Sequence, residues 1–218
     1  MLEQLLPKIH KEGYKFIAIS LILTFFLILF SNFLGIVGAL ISIWVYYFFR
    51  DPERAIINDN RYLVSPASGI ITKIVETNGP KELGLQDKRY TRVSIFMNVF
   101  DCHVNRIPIS GTIEEISYVP GKFFNANLDK SSEENERNYL KMKDEKDEEI
   151  IVVQIAGLIA RRIVCDLKKS QSIKQGERIG MIRFGSRVDM YFNKKKILVK
   201  ENQNSISGET LIAVEDGK

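Results

Sequence analysis

The stretch Gly180-Met181-Ile182-Arg183-Phe184-Gly185-Ser186-Arg187-Val188-Asp189-Met190-Tyr191 reads as two β-type runs interrupted by a Gly-Ser pair. Working outward from it, similar short runs recur at 62–64, 70–75, 91–97, 111–118, 150–156, 161–166, 178–184, 187–192 and 197–199, punctuated by Gly, Pro and Asn. Strands this short and closely spaced predict an all-β barrel or sandwich. The stretch 125–149 is crowded with charge, poor in apolar residues and without a β period, so it reads as a loop or short helical excursion.

Upstream the pattern is different. Residues 16–49 carry no charge and are dense in Leu, Ile and Phe, a run longer than the roughly 20 residues that cross a bilayer. It ends in Trp44, Tyr46, Tyr47, Phe48 and Phe49 before Arg50, aromatics suited to a headgroup interface. A cleaved signal peptide would have a shorter apolar core and a small-residue cleavage site. Lys8, Lys11 and Lys15 precede the run, and Arg50 and Arg54 follow it. Positive charge on both flanks favours a hairpin with both ends cytoplasmic, reversing near Ser31, Asn32, Gly35 and Gly38. A long tilted helix or an interfacial anchor is the alternative. The expected organisation is a helical membrane anchor over 1–50 and one β domain over 51–218.

Composition narrows the function classes. The 218 residues are 45% hydrophobic and 27% charged with a net charge of +4, a basic excess that beside a membrane segment favours anionic lipid. No zinc-finger spacing, basic helix or aromatic ribonucleoprotein motif is present, which argues against nucleic acid. Cys102 and Cys165 are the two cysteines, and in a cytoplasmic domain they are expected as free thiols.

On residue types alone, the Gly185-Ser186 pair reads as a bulge or tight turn. The same pair also meets the requirement for self-cleavage. A serine hydroxyl reaches the preceding carbonyl only where the backbone bends sharply, and Gly permits that strain. Attack replaces the amide by an ester. Loss of the serine α-proton then expels the upstream chain as a carboxylate, and the dehydroalanine left behind hydrolyses to a ketone-capped terminus, a pyruvoyl group. Such a ketone condenses with an amine and withdraws electrons from the adjacent carbon.

Phe184-Gly185-Ser186-Arg187-Val188-Asp189 resembles the cleavage motif of short bacterial phosphatidylserine decarboxylases. Further segments resemble that family in its usual order: Phe49-Arg50-Asp51-Pro52, the run 96–108 containing Asp101-Cys102-His103-Val104-Asn105-Arg106, the run 120–126, Asn135-Glu136-Arg137-Asn138, and the run 154–162. Ser65-Pro66-Ala67-Ser68-Gly69-Ile70-Ile71 looks like the entry turn of barrel-sandwich hybrid folds, so the catalytic domain is expected to be mainly β and barrel-sandwich-hybrid-like.

The resemblance implies cleavage between Gly185 and Ser186 into a large chain, 1–185, and a small chain, 186–218, whose pyruvoyl cofactor derives from Ser186. It implies a Schiff base with the amine of phosphatidylserine and release of phosphatidylethanolamine, with no metal. The partners it implies are the membrane lipid and the two chains of one proenzyme, with a homo-oligomer among the assemblies it allows. The expected location is a bacterial inner membrane, catalytic domain on the cytoplasmic side. His103 falls where the family carries an active-site histidine, and imidazole moves protons near neutral pH.

This chain departs from the family at two positions. Many members have Asp where Ser68 stands, and longer members have a second histidine where Arg106 stands. Asp101, Asp189 and Glu209 are the carboxylates that would substitute in a carboxylate–histidine–serine relay. Arg161, Arg162, Arg183 and Arg187 are candidates for substrate phosphate or carboxylate. Two other readings compete: an uncleaved membrane-tethered β scaffold, and a hydrolase using Cys102. Strand alternation makes a Cys102–His103 pair poor geometry for the latter.

Overall fold

The computed structural model describes residues 6–121, 134–157, 162–183 and 186–216. The chain divides into two compact units, Met1–Glu53 and Arg54–Lys218.

In the first unit, helices α1 (Tyr14–Phe30) and α2 (Asn32–Phe48) are separated by Ser31, whose extended backbone breaks the helix and whose side chain accepts from Phe33 N. The chain reverses there. Pro7 carbonyl accepts from Tyr46 Oη at 2.9 Å, and Phe49 carbonyl accepts from His10 N at 2.9 Å. The two helices form a hairpin, with its turn at Ser31–Asn32. Gly35 and Gly38 lie inside α2 rather than in the reversal, where a Cβ would strike Ile28 and Thr24 of α1. Small residues let two helices approach closely, and Thr24 Oγ1 meets Ser42 Oγ at 3.0 Å across the contact. Thr24 is the one buried residue of α1. A helix apolar on every side seeks an apolar solvent, and residues Lys11–Phe30 are long and apolar enough to cross a membrane.

The second unit is mainly β. Its strands among the described residues are β1 (Tyr62–Val64), β2 (Gly69–Asn78), β3 (Arg89–Met97), β4 (Val104–Arg106), β5 (Gly111–Val119), β6 (Arg137–Asp144), β7 (Glu149–Ala156), β8 (Arg162–Cys165), β9 (Ser172–Ile173), β10 (Arg178–Arg183), β11 (Ser186–Phe192), β12 (Lys195–Ile197), β13 (Asn204–Ser205) and β14 (Leu211–Glu215). An eight-stranded curled sheet runs β13-β2-β3-β11-β7-β6-β5-β9, and two three-stranded sheets run β4-β10-β8 and β1-β14-β12. Side chains alternate across each strand. One face of the large sheet packs Ile95, Met97, Leu140, Val152, Val188 and Met190 into the main core. The other carries a smaller cluster that includes Tyr90, Tyr139, Val153 and Tyr191.

The charged stretch expected to be a loop contains β6, a strand inside the large sheet. Leu140 and Met142 point into the main core and Tyr139 into the smaller cluster. The strand's cations are matched by acids outside the strand: Arg137 by Glu82 at 3.0 Å, and Lys141 by Glu114 at 2.9 Å and Glu149 at 3.0 Å. Those partners neutralise charge that, read locally, hides the β period.

Candidate functional site

Ser186 opens β11, a strand flanked on both sides. It stands opposite Met97 of β3 and Ala156 of β7. Directly opposed residues of an antiparallel pair share a face, so its side chain lies on the core face with Met97 and Ala156. It is fully buried, and its Oγ has no hydrogen-bond partner among the described residues. Leaving a buried hydroxyl unpaired costs about 1–3 kcal/mol. Gly185, the predicted partner in the cleaved bond, and Phe184 before it lie outside the described residues.

His103 is also fully buried and stands just before β4. Its Nδ1 lies 3.0 Å from the carbonyl oxygen of Asp101. A carbonyl only accepts, so Nδ1 carries the proton and a neutral ring keeps its lone pair on Nε2. The turn holding that carbonyl is fixed by side chains. Asp101 Oδ2 accepts from Asn98 N at 2.8 Å, and Asn98 Oδ1 accepts from Phe100 N at 2.8 Å.

Chain topology brings Ser186 and His103 to one corner. β3 and β11 belong to the large sheet and β4 and β10 to a small one, so residues 97–104 cross between sheets. Met97 pairs with Ser186 at one end of that crossing, and Ile182 N donates to the His103 carbonyl at the other. Close by, Asn135 Nδ2 donates to Ala156 O at 2.7 Å and Ile163 N donates to Glu136 Oε1 at 3.2 Å.

Beside Ser186 on the core face runs a buried chain of amides. Asn138 Nδ2 donates to Gln154 Oε1 at 3.0 Å, Gln154 Nε2 to Asn105 Oδ1 at 2.8 Å, and Asn105 Nδ2 to Met97 Sδ at 3.6 Å. Satisfied buried networks of this kind rigidify their surroundings. The sequence reading places these three residues in family-like segments but gives them no role. The available signal was Gln154, a polar residue on the inward parity of an otherwise apolar strand. Cys165 borders the network: burial pushes its thiol up, against a hydrogen bond from Asn138 that pulls it down.

The carboxylates considered as substitutes separate by geometry. Asp189 faces away from Ser186 and is clamped by Arg187, with Nε–Oδ1 at 2.6 Å and Nη2–Oδ2 at 2.7 Å. Glu209 accepts from Ala55 N and lies 3.8 Å from Arg54. Asp101 alone of the three contacts His103 through an observed hydrogen bond, and it does so through its backbone. Ser68 Oγ accepts from Ser207 N at 3.0 Å, and Arg106 Nη1 donates to Gly176 O at 2.9 Å.

Of the four candidate arginines, Arg187 is held on the opposite face by Asp189, Arg183 is buried and Arg162 is exposed. Arg161 lies outside the described residues. Cys102 is buried at 4% exposure and precedes β4 beside His103.

Residues 41–213 match the family model described as phosphatidylserine decarboxylase. The chain is 64% identical over 213 residues to the phosphatidylserine decarboxylase proenzyme of Pelagibacter ubique (strain HTCC1062), covering 98% of this chain and 99% of that protein. It is 52% identical over 206 residues to proteins of the same name from Rickettsia typhi and Rickettsia prowazekii, in each case 94% of this chain and 89% of the relative.

Proposed function

The chain belongs to the phosphatidylserine decarboxylase family, and from that premise we propose that it is a proenzyme which cleaves itself at Gly185-Ser186 and then decarboxylates phosphatidylserine to phosphatidylethanolamine. The observation that carries the reading is Ser186 itself: a fully buried serine whose hydroxyl has no hydrogen-bond partner among the described residues, preceded by glycine at the start of a strand. A buried hydroxyl left without a partner calls for an explanation, and a nucleophile is one.

Processing uses the chain's own groups. Ser186 Oγ attacks the Gly185 carbonyl carbon, its proton passes to a base, and the peptide nitrogen takes a proton as the C–N bond breaks, leaving an ester. Removal of the Ser186 α-proton then forms the Cα=Cβ double bond as the Cβ–Oγ bond breaks, and Gly185 departs as a carboxylate. Water adds to the resulting dehydroalanine and ammonia is lost. His103, with Nδ1–H held by the Asp101 carbonyl, offers Nε2 as the base. The amide chain beside Ser186 rigidifies its surroundings, which favours one attack geometry.

The pyruvoyl group so formed supplies a carbonyl that condenses with a primary amine and accepts the electron pair released when carbon dioxide leaves. His103 returns a proton to the carbon that loses carboxylate. Burial around Ser186 excludes bulk water. Residues 1–50 serve as the membrane anchor and 51–218 as the catalytic domain. Positive residues at both ends of the hairpin favour the cytoplasmic face of a bacterial inner membrane. Anchoring there keeps the enzyme on the surface where its lipid resides.

The test is an intact-mass spectrum of purified protein beside its S186A variant, followed by assay on phosphatidylserine vesicles. Two chains split after Gly185, with a ketone in place of the serine amine on the small chain and an uncut S186A, support the proposal. A single unmodified wild-type chain of 25.0 kDa overturns it in favour of an uncleaved scaffold.

A further inference from the structure

The face of the large sheet turned away from Ser186 carries a cleft of about 360 Å³ that the proposed chemistry does not use. Its floor is laid across five neighbouring strands, from Lys73 on β2 and Arg92 on β3 through Asp189 and Tyr191 on β11 to Val153 on β7 and Tyr139 on β6. The turn 79–82 forms one wall and contributes Lys81 and Glu82.

Charge in the cleft is unbalanced. Lys73, Lys81, Arg92 and Arg137 line it against two carboxylates, Glu82 and Asp189. Both carboxylates are already engaged: Glu82 lies 3.0 Å from Arg137, and Asp189 is clamped by Arg187 from within the sheet. Counting Arg187 with its acid, the group keeps an excess of three positive charges. The polar groups facing the cleft are mainly donors. Burial, helped by the nearby Asp189 carboxylate, pushes the Tyr191 phenol up to about 12, and burial raises Tyr139 too, so both phenols remain protonated across the physiological range. Two buried polar atoms on this face, Arg92 Nε and Ser94 Oγ, have no hydrogen-bond partner among the described residues. Ser94 stands between Lys73 and Asp189 in register. Tyr139 is already hydrogen-bonded to Glu82 and Tyr191 to Arg92, so Arg92 Nε, Ser94 Oγ and the positive lining are what an oxyanion with several acceptor oxygens would satisfy.

We propose that this cleft is a binding site for a phosphate-type oxyanion, either free or as the headgroup of an anionic lipid, distinct from the site at Ser186. Arg92 is its central ligand, and Lys81, exposed on the rim, draws the anion in.

The test uses full-length protein in detergent, purified without phosphate, with unfolding temperature followed as inorganic phosphate is added against chloride at matched ionic strength. A saturable rise of roughly 3 to 6 °C at ten times the dissociation constant is expected. R92Q weakens the apparent affinity about tenfold or more and K81Q several-fold. K81Q alters an exposed side chain, so it carries the test if R92Q fails to fold. A parallel titration with dihexanoyl phosphatidic acid separates the two sources: equal affinity for both ligands marks a small-anion site, and tenfold tighter lipid binding marks a headgroup site. Both variants lie on the face opposite Ser186, so a shift that persists unchanged in R92Q and K81Q reports binding elsewhere and overturns the proposal. So does the absence of a saturable shift with either ligand.

Discussion

At the scale of single residues, His103 is oriented by main chain. The Asp101 carbonyl fixes the His103 tautomer, while the Asp101 carboxylate stiffens the turn by accepting from Asn98 N. The side chain of Asp101 therefore acts through the loop, as a positioning group. General-base assistance contributes about 100- to 10,000-fold, so H103Q should slow self-cleavage at least about 100-fold. D101A should slow it less, because the backbone carbonyl survives the substitution. The check is the ratio of cut to uncut chain over time on denaturing gels. Equal cleavage by H103Q and wild type would remove His103 from processing. The same comparison answers for Ser68: a hydroxyl already engaged with Ser207 N is not needed if Asp101 and His103 suffice.

At the scale of elements, charge binds the strands of the large sheet as well as apolar packing does. Glu149, at the start of β7, accepts from Lys88 at 2.8 Å and Tyr90 Oη at 2.9 Å and pairs with Lys141 of β6 at 3.0 Å. Burial works to raise its carboxyl, but the hydrogen bonds from Lys88, Lys141 and Tyr90 prevail and bring it to about 2, below its ordinary 4.5. A carboxyl depressed in the folded state contributes stability that is fully present above its unfolded value and is lost as pH falls toward the folded one. Unfolding temperature should therefore drop between pH 5 and pH 2, and E149Q should be less stable than wild type at pH 7 while showing a shallower acid dependence. Parallel acid profiles for the two proteins would assign the loss to other groups. The same ion pairs explain why β6 escapes a reading by local pattern: Lys141 and Lys143 look like solvated charge until Glu114 and Glu149 are seen beside them.

For the whole molecule, the two units differ in where their apolar side chains lie. Met1–Glu53 holds a hairpin whose apolar side chains are largely exposed, and Arg54–Lys218 carries its own hydrophobic core. Full-length protein should float with phosphatidylglycerol vesicles in a density gradient, and a chain of residues 54–218 should stay at the bottom while still cutting itself at Gly185-Ser186. Flotation of the shortened chain to the same extent would move the principal membrane contact out of the hairpin.

Much of this protein is determined by sequence because the deciding signals are local. An uncharged run bounded by Lys and Arg dictates the helices, alternation dictates most strands, and Gly185-Ser186 with its flanking residues carries the resemblance to the family. Tertiary structure alone decided which groups meet. His103 and Ser186 are 83 positions apart in the numbering and reach one corner because Met97 pairs with Ser186 while the His103 carbonyl accepts from Ile182 N. Asp189, three residues from Ser186, is excluded from that corner by the parity of its strand and its clamp to Arg187. Pairing of this kind is set by sheet register and by partners distant in the chain, and a hydrogen bond or ion pair between such partners leaves no periodic trace in either segment.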